Sequence, residues 1–149
     1  GDNYTEGEAH FFADFVRKIS TVKRDGSVEH MGLPSTRREI LYAPALGEMV
    51  ANLISDPEVL WDRPVINASY GPILEFSLGE VWELLVKDSG KNPYVRWTGQ
   101  AIGMPRKVMS STRSLLGENS TPIDAWIRET LKDFEARFPE AMDTQTIAK

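Results

Sequence analysis

The chain has 149 residues, enough for one domain or part of one, and 41% of them are hydrophobic, which is enough to build a core. A net charge of -5 argues against general nucleic-acid binding, which needs a basic surplus, but leaves room for a local basic pocket around one phosphorylated ligand. The lack of cysteine excludes disulfides, thiolate catalysis and cysteine-based metal sites and fits a reducing cytoplasm, and apolar runs such as Pro72–Leu74 and Leu84–Val86 are far too short to span a bilayer.

The first predicted element is a helix over 9–23, with Phe11, Phe12, Phe15, Val16 and Ile19 on one face. Asp25-Gly26 turns the chain into a short strand, Ser27–Met31, and after the loop Gly32–Thr36 a second strand is expected over Arg38–Tyr42. Pro44 suits the first turn of a helix whose face would be Leu46, Met49, Val50, Leu53 and Ile54, stopping near Asp56-Pro57. A loop with Trp61 follows, then a short apolar strand, Val65–Ala68, and a turn at Ser69–Pro72. Ser77-Leu78-Gly79-Glu80 is a capping box, in which the serine oxygen accepts a helix N–H and the glutamate reaches back. Its helix carries Val81, Trp82, Leu84 and Leu85 and ends at Gly90. Tyr94–Trp97 reads as a strand, Lys107–Ser110 as extended, and Ser111–Leu116 as a short helical turn. Thr121 and Pro122 open a last helix with Ile123, Trp126, Ile127, Leu131, Phe134 and Phe138 on one face. The expected architecture is an α/β lobe of α+β character spanning 1–138, with about four helices and five or six short strands, and a frayed tail over 139–149.

Neither G-x-G-x-x-G nor G-x-x-x-x-G-K-[ST] occurs, so no glycine-rich phosphate loop is expected and no complete dinucleotide-binding sheet. His10 and His30 lack the partners of a metal site, and Asp14 four after His10 is a lone pair. Glu6, Glu8 and Glu39 could be paired for acid–base work but read as surface or structural carboxylates. Trp82 and Trp126 fall on apolar helix faces and read as core, and core is also the favoured role for Trp61 and Trp97.

Four segments, in order, carry a family resemblance. Gly1-Asp2-Asn3-Tyr4 with His10–Ile19 is similar to a G-D-N-F stretch and an H-V-I-P-A-L-I-R-K helix. Met31-Gly32 through Arg38-Glu39-Ile40-Leu41-Tyr42 resembles W-G-x-G-x-x-x-R-E-F-L-[HY]. Ile66-Asn67-Ala68-Ser69-Tyr70-Gly71 is similar to I-N-V-G-x-G, and Gly103-Met104-Pro105-Arg106-Lys107 with Ser110, Thr112-Arg113 and Leu116-Gly117 to G-x-P-R-K-x-x-D-x-[ST]-[KR]-x-x-x-L-G-[WF]. Together they resemble the C-terminal, substrate-binding region of an extended short-chain dehydrogenase/reductase of the nucleotide-sugar epimerase family, in the branch of GDP-fucose synthase.

The resemblance implies that Arg17, Arg38 and Lys107 contact a nucleotide-diphosphate sugar, GDP-linked by preference, with Met31, Asn67 and Arg106 as further substrate-binding positions. The chemistry is suited to it, because a diphosphate needs cations and N–H donors and the arginine fork offers both. It also implies epimerisation and NADP-dependent reduction of a 4-keto-6-deoxy sugar, cytoplasmic carbohydrate biosynthesis, and a cofactor-binding half supplied in cis or trans. Departures from the pattern are Met31 for the family tryptophan, Ala43-Pro44-Ala45 for V-D-D, Ala101-Ile102-Gly103 for P-D-G, and Ser110 for an aspartate. They point to altered function on a preserved fold.

The family's Y-x-x-x-K dyad is absent. Four positions after Tyr4, Tyr42, Tyr70 and Tyr94 stand Glu8, Leu46, Leu74 and Thr98, so no catalytic residue is assigned and this chain alone is not expected to transfer hydride. No cofactor, metal, nucleic acid or membrane is expected to bind the chain itself. A lobe separated from its partner half should expose an apolar patch and self-associate, so a homodimer is expected. The alternative reading is a non-catalytic binding or assembly module derived from the same fold.

Overall fold

The computed structural model describes residues 2–60, 65–100, 103–109 and 123–143. Its main core is three helices packed on one another: α1 (Phe11–Thr21), α3 (Leu78–Ser89) and α4 (Ile123–Arg137). Each contributes an apolar stripe at helical spacing. Phe15, Val16 and Ile19 of α1 meet Val81, Trp82 and Leu85 of α3 and Ile127, Leu131 and Phe134 of α4. Tyr4 closes one end, with its ring edge-on to Phe134 at 5.0 Å and to Phe138 at 5.9 Å.

Local chemistry sets the boundaries of α3. Ser77 and Glu80 form the expected capping box, with Ser77 N–H to Glu80 Oε2 at 2.6 Å and Glu80 N–H to Ser77 Oγ at 3.1 Å. Gly90 ends the helix in the left-handed region at φ 66°, which glycine adopts without strain. Just beyond it, the Lys91 ammonium donates to the carbonyls of Ile19, Ser20 and Val22 at 2.9, 2.6 and 2.9 Å. The exit of α3 thereby caps the C-terminus of α1, where carbonyls have no helical partner.

Two small sheets flank the helices. β1 (Ser27–His30) pairs in parallel with β4 (Tyr94–Trp97), His30 opposite Trp97. β2 (Arg37–Glu39) lies between β3 (Glu75–Ser77), antiparallel to it, and β5 (Arg106–Lys107), parallel to it. A second, smaller core joins α2 (Ala43–Ser55) to a 3-10 turn at Gly71–Leu74 and to α4, through Ala45, Met49, Tyr70, Leu74 and Trp126.

Several sequence expectations are corrected. The second strand is shorter than Arg38–Tyr42, because β3 pairs only with Arg37–Glu39 before the chain leaves for α2. Of the stretch expected to be extended, Lys107–Ser110, Lys107 ends β5, residues 108 and 109 lie in no strand, and Ser110 is outside the described residues. Val65–Ala68 forms no strand: it pairs with no described strand, and the Glu39 carboxylate draws the following turn inward through Ser69 and the Gly71 N–H. Of the face foreseen for α2, only Met49 is buried, while Leu46, Val50 and Ile54 are exposed. Pro139–Asp143, expected as the start of a frayed tail, is a fifth short helix, α5, with Met142 against the main core. Trp61, Ala101, Ile102, the stretch 110–120 and the predicted cap Thr121-Pro122 lie outside the described residues.

Candidate functional site

The cations of the resemblance gather on β2 and β5, where the parallel register sets Arg37 opposite Arg106 and Arg38 opposite Lys107. Successive strand residues face opposite sides, so these are two distinct pairs. The first is neutralised. Arg106 grips Glu75 with two nitrogens, each 2.7 Å from a carboxylate oxygen, and Arg37 Nε lies 2.8 Å from the same carboxylate. Hydrogen bonds from Arg106, and then from Arg37, hold the Glu75 carboxyl down to about 2. Arg106 is therefore engaged in structure through two of its nitrogens.

The second pair is different. One terminal nitrogen of Arg38 donates to the carbonyls of Arg37 and Met104 at 2.7 and 2.9 Å, which braces the side chain and leaves the rest of its fork without a partner among the described residues. Lys107 is exposed and makes no hydrogen bond or ion pair with a described residue. Arg38 and Lys107 are thus two cations on adjacent strands with no acidic partner among the described residues, one of them pre-oriented, an arrangement chemically suited to an anion.

Arg17 is on α1, bound to Asp14 at 2.6 Å and within 3.9 Å of Glu6, so its charge is largely met within its own helix and its approach segment. Met31, 69% exposed, follows β1 at the edge of a loop held by Gly32 N–H to Thr98 Oγ at 2.9 Å and Gly99 N–H to Gly32 O at 3.1 Å. Gly32 sits at φ 94°, where a side chain would be strained. Asn67 is half-buried in the segment before Ser69.

Glu39 emerges as a structural hub. Its carboxylate accepts from Ser69 Oγ, from Gly71 N–H at 3.1 Å and from Met109 N–H at 3.1 Å, joining β2, the 69–71 turn and the chain leaving β5. These three contacts give the carboxylate a structural role, in tying the segments together.

A separate cleft of about 700 Å³ lies between the start of α1, the chain entering α2, and α4. Its walls are Tyr4, Phe11, Phe12, Tyr42 and Trp126, and its ionisable side chains are Asp2, Glu39, Glu129, Asp133 and the two tyrosines. Tyr42 stacks on Trp126 at 5.1 Å and donates to Glu129, which pushes its hydroxyl up to about 12. None of Arg17, Met31, Arg38, Asn67, Arg106 or Lys107 lines it. Among the described lining residues the charged groups are all carboxylates, which disfavours a diphosphate there.

Among the described residues no group of three or more His, Cys, Asp or Glu side chains is placed to hold a metal ion. His10 is exposed at the start of α1. His30 is fully buried between Phe15, Trp82 and Trp97, with ring centroids at 4.2, 4.3 and 4.8 Å. Neither ring nitrogen has a hydrogen-bond partner, and burial pushes its pKa down to about 4, so it is neutral at physiological pH.

No sequence-family model and no curated protein matches the chain. Among solved structures, the GDP-mannoheptose C4 reductase of Campylobacter jejuni with NADP bound is similar, with a TM-score of 0.70 at 15% identity over 91% of this chain. The chain has the fold of half of that reductase. It spans 49% of the reductase's length, and the identity is too low to carry more than the fold. The α/β architecture with short strands and no complete dinucleotide-binding sheet agrees with this. Among the described residues no helix is long and apolar enough to cross a membrane.

The sequence reading missed Glu75 and the bridging role of Glu39. Glu75 stands 31 residues from Arg106 and 38 from Arg37, so no local pattern links them. The only signal was an acid at the start of a strand otherwise bounded by a capping box.

Proposed function

We propose that this chain is a nucleotide-diphosphate-sugar-binding lobe, with GDP-linked sugars favoured, of an NAD(P)-dependent sugar epimerase/reductase of the GDP-fucose synthase type. It works with a cofactor-binding half in cis or trans, in the cytoplasm. The observation that carries the reading is the Arg38–Lys107 pair, placed in register on β2 and β5 with its charge uncompensated by any described residue. The likeness to half of a GDP-sugar reductase supports it.

In this reading Arg38 supplies a planar donor fork to the diphosphate and Lys107 a mobile point charge beside it. Arg37 and Arg106, clamped on Glu75, keep the two strands in register and do not touch the ligand. Arg17, Met31 and Asn67 are the remaining proposed contacts, to base, sugar or diphosphate. NADP does not fit the residues of this chain, which has neither a glycine-rich dinucleotide turn nor a Y-x-x-x-K dyad, so no step of hydride transfer is assigned to it.

Calorimetric titration with GDP-, UDP- and dTDP-sugars tests the reading. Selective binding of the GDP-sugar is expected, weakened about 10- to 100-fold in Arg38→Ala because one charge-assisted hydrogen-bonding group is lost. Equal affinity for the wild-type chain and the variant would overturn it. The second reading, a non-catalytic binding or assembly module, is favoured by the open apolar face of α2. Sugar binding without turnover, after NADP and a cofactor-binding half are added, would select it.

A further inference from the structure

The sheet of β3, β2 and β5 has two unlike faces. Side chains alternate along a strand, so the register puts Arg37, Glu75 and Arg106 on one face and Arg38 and Lys107 on the other. β5 is its weakest member: it has two residues, and its one partner strand among the described residues is β2. A side chain makes up for the short ladder. Arg106 reaches past β2 to Glu75 on β3 and meets it with two nitrogens, each 2.7 Å from a different carboxylate oxygen. Arg37, on the middle strand, closes on the same carboxylate at 2.8 Å and on the Glu75 carbonyl at 3.2 Å. Under this cover the Glu75 side chain is 7% exposed, and one acid ties all three strands. On the other side of Lys107 the chain is tied to β2 by a single bond, from Met109 N–H to Glu39 at 3.1 Å.

We propose that Glu75 is a positioning residue for anion binding: by gripping Arg106, the neighbour of Lys107, it holds the Lys107 ammonium beside the Arg38 fork. The inference rests on the reading of those two cations as the diphosphate contact. Its consequence runs against simple electrostatics. Glu75 is an acid in the same small sheet as the anion-binding pair. Removing its charge releases two guanidinium groups, so on Coulombic grounds alone an anion would bind more tightly. If Glu75 acts through the place it gives Lys107, the anion binds less tightly. A carboxylate that strengthens anion binding is the signature of the proposal.

Calorimetric titration of the full chain with inorganic pyrophosphate at low ionic strength tests it, with a far-UV spectrum for each variant. Glu75→Gln keeps the size of the side chain, but an amide has one acceptor oxygen and turns N–H groups toward the arginine fork, so the two-toothed grip is lost. Its affinity should fall about three- to tenfold. Lys107→Ala should weaken binding by a similar factor in the wild-type chain, but by less than about twofold on top of Glu75→Gln, because an ammonium already displaced has little left to lose. If Glu75 served stability alone, the melting temperature would drop and the two effects on affinity would multiply. Arg106→Lys keeps the charge and loses the fork, so it should weaken binding as Glu75→Gln does, and it carries the same test if that variant does not fold. Unchanged or tighter binding in these variants, or independent effects of Glu75→Gln and Lys107→Ala, would overturn the proposal while Arg38→Ala still weakened binding. A wild-type chain that does not bind pyrophosphate, or binding untouched by Arg38→Ala, would remove the diphosphate reading and the proposal with it.

Discussion

Helices α1 and α2 read alike in the sequence, each with a clear apolar stripe, yet they end differently. In α1 the stripe disappears into the core, with Val16 and Ile19 fully buried against α3 and α4. In α2 the inner edge of the helix is covered and most of the stripe faces outward. Periodicity reports that a face wants to be covered, but not what covers it. The three-helix core closes on itself because each stripe has a matching neighbour in the same chain. The α2 layer rests on one 3-10 turn and one end of α4, too little surface to cover a helix all round.

The strongest way to test that contrast is to cut into both faces. Leu85→Ala, at a fully buried site, should cost about 2–5 kcal/mol by denaturant unfolding, as a lost transfer energy plus a cavity. Acid probes the same core by a different route. The pKa of His30 is about 4 in the fold and about 6.5 in a free chain, so the unfolded state takes up the proton first. The His30 contribution to stability should be constant above about pH 6.5 and fall toward pH 4, by on the order of 2–3 kcal/mol. His30→Phe should remove that limb and leave a further loss from about pH 4.5 down to about pH 2, because Glu75 takes up a proton first in the unfolded chain, while Arg106 and Arg37 hold the folded carboxyl down to about 2. An unchanged acid limb in His30→Phe would show that the aromatic cage does not govern it. Ser77→Ala, which removes the cap of α3, should cost about 1 kcal/mol. At the far end of the scale, Ile54→Ala, with its side chain in solvent, should stay within about 0.5 kcal/mol for the monomer. A large loss there would mean that the α2 face is part of the folded core after all.

What was legible in the sequence was what is decided locally. The capping box at Ser77–Glu80, the stop at Gly90, Pro44 in the first turn of α2 and the stripes of α1, α3 and α4 each rest on residues a few positions apart. The resemblance supplied the architecture in the same way, through short motifs in order. What was not legible was nonlocal. Arg106 and Lys107 are adjacent and equally cationic, and only the antiparallel partner β3, which brings Glu75 across, separates a structural arginine from an open lysine. The strand expected at Val65–Ala68 failed for a related reason. Its composition suits a strand, but the distant Glu39 carboxylate holds the turn that follows through Ser69 and the Gly71 N–H, and the segment pairs with no described strand.

The Lys91 ammonium, gripped by the carbonyls of Ile19, Ser20 and Val22, has a further consequence for covalent chemistry. Any ammonium must lose a proton before its nitrogen can attack an acylating reagent, and at Lys91 the three bonds to carbonyls must also break, which requires the exit of α3 to lift away from the end of α1. Exposed lysines such as Lys23 or Lys132 need only lose the proton. Lys91 reacts only during an opening event, so its slow acylation, followed by peptide mass, would clock how often that one joint of the molecule comes apart.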